Sequence, residues 1–322
     1  MVVMVCQGYM LKDISENGNY QKHLENIVKT LCQPQSYKKV YHRINHDVPM
    51  PSIQQLEEIV EECKMVLFPG YFGNSEITPQ NMQYYIGSAI DGIARKLTEQ
   101  IKRGYCFSCS EGETIDCIEC EHRSRKIMFQ FLDMLPEIRR MLAMDVQAAY
   151  EGDPAAKSHG ETIFCYPSIT AMIHYRIAHA LYILDVPLIP RIITEMAHSH
   201  TGIDIHPGAT ISENFFIDHG TGVVIGETTI IGNNVRIYQG VTLGAKSFPL
   251  DENGNPMKGI PRHPIVEDDV IIYSGATILG RVTIGRGSVI GGNVWLTESV
   301  PPQTNVVQHK PSEMMFEHGG GI

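Results

Sequence analysis

Residues 266–296 read VEDDVIIYSGATILGRVTIGRGSVIGGNVWL, and here Val266, Ile272, Ile278, Ile284, Ile290 and Leu296 recur at every sixth position. Neither the helical period of 3.6 nor the two-residue alternation of a half-buried strand produces that spacing. It suits a parallel β-helix in which one hexad forms one flat face and three hexads close a triangular coil. The aliphatic anchors then stack on one another up the interior. An irregular antiparallel β domain would lack a fixed period. Working back along the chain, Ile225, Ile231, Ile237 and Leu243 keep the spacing in a second frame, and Ile205, Ile211 and Ile217 in a third. Four residues after most anchors stands a small or β-branched residue suited to a tight corner, among them Ala209, Thr221, Thr229, Val241, Ala276 and Ser288. Between Leu243 and Val266 the run GAKSFPLDENGNPMKGIPRHPI is rich in Gly, Pro and Asn, so residues 245–265 are expected to leave the coil as a loop.

The first 200 residues carry the helical period instead. Ser52 followed by Gln55 is a capping-box start. Thr78 as cap, Pro79 at the first position and Gly104 as the stop predict a helix whose apolar stripe includes Met82, Ile86, Ile93, Leu97 and Ile101. Further helices are expected at about 124–134, 136–151, 168–184 and 190–200. The fold class is therefore α+β. A helical domain over 1–200, which would serve oligomerisation, precedes a β-helical catalytic domain over 201–305 and a flexible tail over 306–322.

A formal net charge of −10 with no basic patch argues against nucleic-acid binding, because phosphate backbones repel an acidic chain. The N-terminal MVVMVCQGYMLKD lacks the pattern of an export signal, and no apolar run has the length of a membrane span. With eight cysteines and no export signal, the expectation is a cytoplasmic protein with reduced thiols.

The order of motifs narrows the assignment. DVQAAYEGDPAA precedes the coil, GIDIHPGATI opens it, and IDHGTGVVIGET follows. VTLGAKS, a loop ending in RHPIVEDDV, and VPPQT come next. From about residue 140 onward this resembles the serine O-acetyltransferases among the hexapeptide acyltransferases, whose coil is a left-handed β-helix behind a helical N-terminal domain. The resemblance implies transfer of acetyl from acetyl-CoA to the L-serine hydroxyl, the first step of cysteine biosynthesis. It also implies feedback inhibition by L-cysteine, sites between the subunits of a trimer, and helical domains that join two trimers.

An aliphatic hydroxyl is a poor nucleophile at neutral pH, so a base must take its proton, and imidazole titrates in the right range. His219 is the expected base and Asp204 the carboxylate that orients it, as the DIHP and DH motifs imply. The two lie fifteen residues apart, which on an eighteen-residue coil places them near one edge. Asp218 is disfavoured as the orienting group because neighbours on an extended strand face opposite ways. By resemblance, Asp153 and Asp218 face the substrate ammonium, Arg262 pairs with its carboxylate, and His263 adds hydrogen bonds. Backbone amides near Gly244 and Ala245 are candidates for the oxyanion. Ser274 and Gly292, one coil apart, should border the pantetheine arm of acetyl-CoA. His206 and His309 read as structural.

CFSCSEGETIDCIEC places Cys106, Cys109, Cys117 and Cys120 as two C-x-x-C pairs, a spacing that can supply four thiolates to a structural Zn²⁺. The resemblance supplies no metal here, and the alternatives are a redox pair or plain thiols. The chain ends FEHGGGI. In the resembled family a terminal isoleucine enters the active site of O-acetylserine sulfhydrylase, so Ile322 is the expected contact with that partner. Two rival functions are an acetyltransferase for another small acceptor and a zinc protein like the γ-carbonic anhydrases. The latter would require His206, His219 and His263 on one metal, a placement that lacks the needed spacing.

Overall fold

The computed structural model describes residues 17–42, 48–109, 117–247 and 249–308, without the side chains of 17–19 and 117–118. Ile322 and His309 lie outside these residues. The chain divides into two compact units, 1–45 and 46–322. In the first, helix α1 (Asn17–Leu31) and the one-turn α2 (Pro34–Tyr37) follow one another, with Tyr37 and Tyr41 edge to face.

The second unit begins with α3 (Ile53–Leu67), α4 (Met82–Ser108), α5 (Cys117–Gly152), α6 (His159–Cys165), α7 (Pro167–Ile183) and α8 (Ile189–Thr201). Ser52 caps α3 as its pattern predicts, its Oγ accepting from the Gln55 N–H at 3.3 Å. Three expectations change. Helix α4 starts at Met82, because residues Thr78 to Asn81 form a turn closed by the Thr78 N–H on Asn81 Oδ1 at 2.7 Å. It also runs through Gly104, where an added Cβ would lie 2.9 Å from the Pro187 carbonyl oxygen. That glycine serves close packing and does not stop the helix. The two helices expected on either side of residue 135 are one, α5, which carries Pro136 inside it. None of the described helices is long and apolar enough to cross a membrane.

From Asp204 the chain winds a left-handed parallel β-helix. Coil 1 holds β1 (Asp204–Ile205), β2 (Thr210–Ile211) and β3 (Phe216–Ile217), and coil 2 holds β4 (Val224–Ile225), β5 (Ile230–Ile231) and β6 (Arg236–Ile237). Coil 3 holds β7 (Thr242–Gly244), β8 (Ile265–Val266) and β9 (Ile271–Ile272), with the loop extruded between β7 and β8. Coil 4 holds β10 (Thr277–Leu279), β11 (Thr283–Ile284) and β12 (Val289–Ile290), and the last holds β13 (Trp295–Leu296) and β14 (Asn305–Val306). Three parallel sheets result, in the orders β1-β4-β7-β10-β13, β11-β8-β5-β2 and β14-β12-β9-β6-β3. The anchors stack as predicted: Ile205 on Ile225 on Leu243 on Ile278, all within 2% of complete burial.

The hydrogen-bond register shows that coil 1 is longer than three hexads. Asp204 pairs with Val224, twenty residues on, whereas Val224 pairs with Thr242 and Thr277 with Trp295, each eighteen on. Asp218 donates its N–H to Ile237 as Tyr238 does to Ile272, and Gly240 donates to Thr221 as Gly275 does to Gln239. The two surplus residues are therefore His219 and Gly220. Thr221, expected as an inward corner residue, is accordingly exposed, and Val223 takes the buried place.

Coil 1 has no coil before it, so its outer row of backbone groups would be left unpaired. The helices satisfy it. Tyr175 Oη donates to the Ala209 carbonyl at 2.6 Å and accepts from the Ile211 N–H at 3.1 Å. His179 Nδ1 meets the Pro207 carbonyl at 2.8 Å. Arg176 donates to the carbonyls of Ile211 (3.4 Å) and Ser212 (3.0 Å) and grips Asp145 of α5 with two bonds of 2.6 and 2.9 Å. The same carboxylate accepts from the Phe215 N–H at 3.1 Å. The Asp145 and Arg176 side chains are 0% and 4% exposed. Removing one member of such a buried pair strands the other charge. Arg176→Met is therefore expected to cost about 3–5 kcal/mol of unfolding free energy. Urea denaturation followed by circular dichroism measures it, and a loss within error of zero contradicts this role.

Candidate functional site

The surplus pair makes a bulge at the corner between the third face of coil 1 and the first face of coil 2. His219 adopts a left-handed backbone, φ +57°, and Gly220 follows at +93°. Such a conformation in a non-glycine residue costs of order 1–3 kcal/mol and persists only where the surroundings impose it. It holds the imidazole out of the wall, with its side chain 74% exposed. The carboxylate nearest the ring is that of Asp218, Nε2 to Oδ1 3.9 Å, beyond hydrogen-bond length.

Asp153 joins this corner from the helical region. It lies one residue past the end of α5, its N–H bonded to the Ala149 carbonyl at 3.1 Å. The Ala155 N–H donates to Oδ1 at 2.8 Å, and the Tyr166 hydroxyl donates to Oδ2. The Tyr166 bond, then the Ala155 bond, and more weakly the nearby His219, hold the Asp153 carboxyl below the usual carboxylate range. Asp218 is close enough that its charge helps to keep the Tyr166 hydroxyl protonated.

Asp204 lies at the start of the first face, facing outward, and its backbone N–H bonds Val223 just past the bulge at 2.9 Å. Among the described residues no hydrogen bond joins Asp204 to His219. Ser274 and Gly292 lie on the same corner two and three coils further on. Asn293 donates its N–H to the Ser274 carbonyl at 2.9 Å, so these positions stack as expected.

A second group gathers at the opposite end of the first face. His263, 7% exposed, lies over Gly226, where an added Cβ would fall 2.1 Å from its ring. Only glycine leaves room for it. Its Nδ1 accepts from the Thr228 N–H at 3.1 Å and contacts the Thr228 hydroxyl at 2.9 Å. An accepting Nδ1 places the proton of the neutral ring on Nε2. Arg262 donates to Glu227 Oε2 at 2.6 Å and to the Ile260 carbonyl at 3.3 Å, leaving three of its five N–H groups for other partners. His206, Gly244 and Ala245 belong to this end too, since Gly244 ends the strand that pairs beside β4. One hexad face of roughly 15–20 Å separates the two groups within a chain. Within one chain His206, His219 and His263 are therefore split between corners, too far apart to share one metal.

Glu227, Thr228 and Tyr166 escaped sequence reasoning. Glu227 and Thr228 directly follow the Ile225–Gly226 anchor, an outward corner position that invites polar pairing, whereas Tyr166 stands before Pro167 without any motif. Of the cysteine set, Cys106 and Cys120 are buried and Cys109 half-buried, while the Cys117 side chain lies outside the described residues. Among the described residues no group of three or more His, Cys, Asp or Glu is placed to hold a metal ion.

Burial, and then the charge of Arg262, lowers His263 to about 4. Burial, and then Arg191, lowers His206 to about 4. Both rings stay neutral in the fold while the unfolded chain takes up protons near pH 6.5, so the unfolded state binds more protons between those values. Stability is thus complete above pH 6.5 and falls as pH drops toward 4. Thermal midpoints measured from pH 7.5 to 4 are expected to decline through this window; a flat profile contradicts the neutral assignment.

Residues 263–298 match the bacterial transferase hexapeptide family of six repeats. The plasmid-encoded serine acetyltransferase of Synechococcus elongatus is 50% identical over 303 residues, covering 93% of this chain and 95% of that one. The Bacillus subtilis serine acetyltransferase is 46% identical over 180 residues, 56% of this chain and 78% of its own. Serine acetyltransferase 1 of Entamoeba histolytica, solved in complex with L-cysteine, superposes with a TM-score of 0.68 at 35% identity, over 90% of this chain and all of that one. The Neisseria gonorrhoeae enzyme, solved with serine, gives 0.51 at 26% identity over 84% and 100%. With a coil, a corner histidine and relatives of this kind along nearly its whole length, the chain belongs to the serine acetyltransferases, acyltransferases of the hexapeptide-repeat class.

Proposed function

We propose that this protein transfers the acetyl group of acetyl-CoA to the hydroxyl of L-serine, with His219 as general base and Asp204 as the carboxylate that orients it. The observation that carries this reading is the bulge. A two-residue surplus at the corner between coils 1 and 2 holds an imidazole in the open beside Asp153 and Asp218. The exposed ring can turn about its side-chain torsions toward Asp204, whose backbone adjoins the far side of the bulge.

In this reading the serine ammonium lies between Asp153 and Asp218. Its carboxylate is held by the unused N–H groups of Arg262 and the Nε2–H of His263. Those donors lie a full face away in the same chain, so a second copy must supply them, and the acceptor site closes only between subunits. A trimer, or two trimers joined by the helical regions, meets that requirement. His219 takes the serine hydroxyl proton as oxygen attacks the thioester carbonyl. Backbone amides near Gly244 and Ala245 bind the oxyanion, again across the junction. The C–S bond then breaks and the imidazolium returns the proton to the coenzyme A thiolate. Ser274 and Gly292, on the His219 corner, border the pantetheine arm. L-cysteine, bound in the Entamoeba relative, carries the same charged ends as serine and competes for the same groups.

His219→Ala is expected to lower turnover about 10²–10⁴-fold, the usual worth of a general base. The assay is release of coenzyme A thiol in the presence of L-serine, with folding checked by circular dichroism. Near-parental turnover in a folded variant removes His219 from this role.

A second part of the proposal concerns the tail. The resemblance to the serine acetyltransferases makes Ile322 the proposed contact with O-acetylserine sulfhydrylase. Deleting Ile322 should abolish co-migration of the two enzymes in gel filtration while acetyl transfer continues; an unchanged complex rejects this contact.

A further inference from the structure

Asp153 reaches the His219 corner from outside the coil, and its placement depends on a neighbour that the chemistry above leaves unused. Tyr166 stands between α6 and α7. Its N–H closes α6 on the Thr162 carbonyl at 3.2 Å, and Pro167 begins α7 immediately after it. Its backbone is thus held from both sides, and its half-buried ring projects the hydroxyl onto Asp153 Oδ2. Asp153 itself sits beyond the last turn of α5 and before Pro154, with only the Ala155 N–H to fix its other oxygen. Without Tyr166 the carboxylate would retain one anchor and could turn away from the corner.

We propose that Tyr166 is a positioning residue for the acceptor. Its hydroxyl locks the Asp153 carboxylate so that Asp153 and Asp218 converge on a primary ammonium beside His219. The inference rests on the serine-binding reading of Asp153. A hydrogen bond donated to a carboxylate also favours the charged form, so the same contact keeps Asp153 ionised in mild acid. Tyr166 contributes no proton to the reaction, because Asp153, Glu161 and Asp218 surround a hydroxyl that burial already keeps protonated.

Steady-state kinetics of the full-length chain carrying Tyr166→Phe, Asp153→Asn or both, each with a parental thermal midpoint, test this. Tyr166→Phe is expected to raise the KM for serine about tenfold, leave that for acetyl-CoA unchanged and lower kcat less than about threefold. The acidic limb of kcat/KM for serine should move to higher pH, which a merely structural role would not produce. In the Asp153→Asn background the phenylalanine should add nothing. Tyr166→Met, flexible enough to fill the same space, carries the same reading if the phenylalanine variant fails to fold. An unchanged serine KM, or an effect undiminished by Asp153→Asn, overturns the role of Tyr166. If Asp153→Asn alone leaves the serine KM at its parental value, the ammonium site falls, and this inference falls with it.

Discussion

The two-pronged grip of the Arg176 guanidinium on the Asp145 carboxylate closes the raw end of the coil stack. A parallel β-helix satisfies its backbone from coil to coil, so the first coil always presents a row of groups with nothing beneath. Here that row meets α7, whose Tyr175, Arg176 and His179 reach four carbonyls and one N–H of coil 1, while Asp145 of α5 takes the Phe215 N–H. A charged pair buried this deeply gains little over an apolar filling in net stability. What it adds is geometry, because a guanidinium fork meets carboxylate and carbonyl acceptors at set angles.

That geometry extends to the site. Helix α5 carries Asp145 and ends one residue before Asp153, so the clamp that seats the helix on coil 1 also sets Asp153 beside His219. The helical region thus reaches the His219 corner as well as covering the end of the coil. The strain at His219 is sustained by the same coil: register bonds on both sides of the bulge leave residues 219 and 220 no place in the wall.

The two corners differ in electrostatic character. One is acidic and open, with carboxylates around an exposed imidazole. The other packs a neutral His263 under the Arg262–Glu227 pair, where burial alone would raise Glu227 but the Arg262 bond and the nearby His206 hold it low. A small zwitterion needs both characters at once, and a single chain keeps them a face apart. In the proposed reading, assembly and acceptor recognition are therefore one requirement.

Much of this was legible in the residues alone. The hexad period, the three faces, the extruded loop and the slip of two between Ile217 and Ile225 are all written in which side chains are aliphatic, because each residue's preference for the interior is local. The motifs DIHP, IDHG and RHP carried the resemblance. The sequence could not say which two residues of 218–223 leave the wall, since only hydrogen bonding between coils decides that. Nor could it foresee that Tyr166 and Glu227 would brace Asp153 and Arg262, or that one helix would span Pro136. Those are contacts between segments brought together by coil register and helix docking, and such proximity depends on the whole chain's packing, which no local pattern encodes.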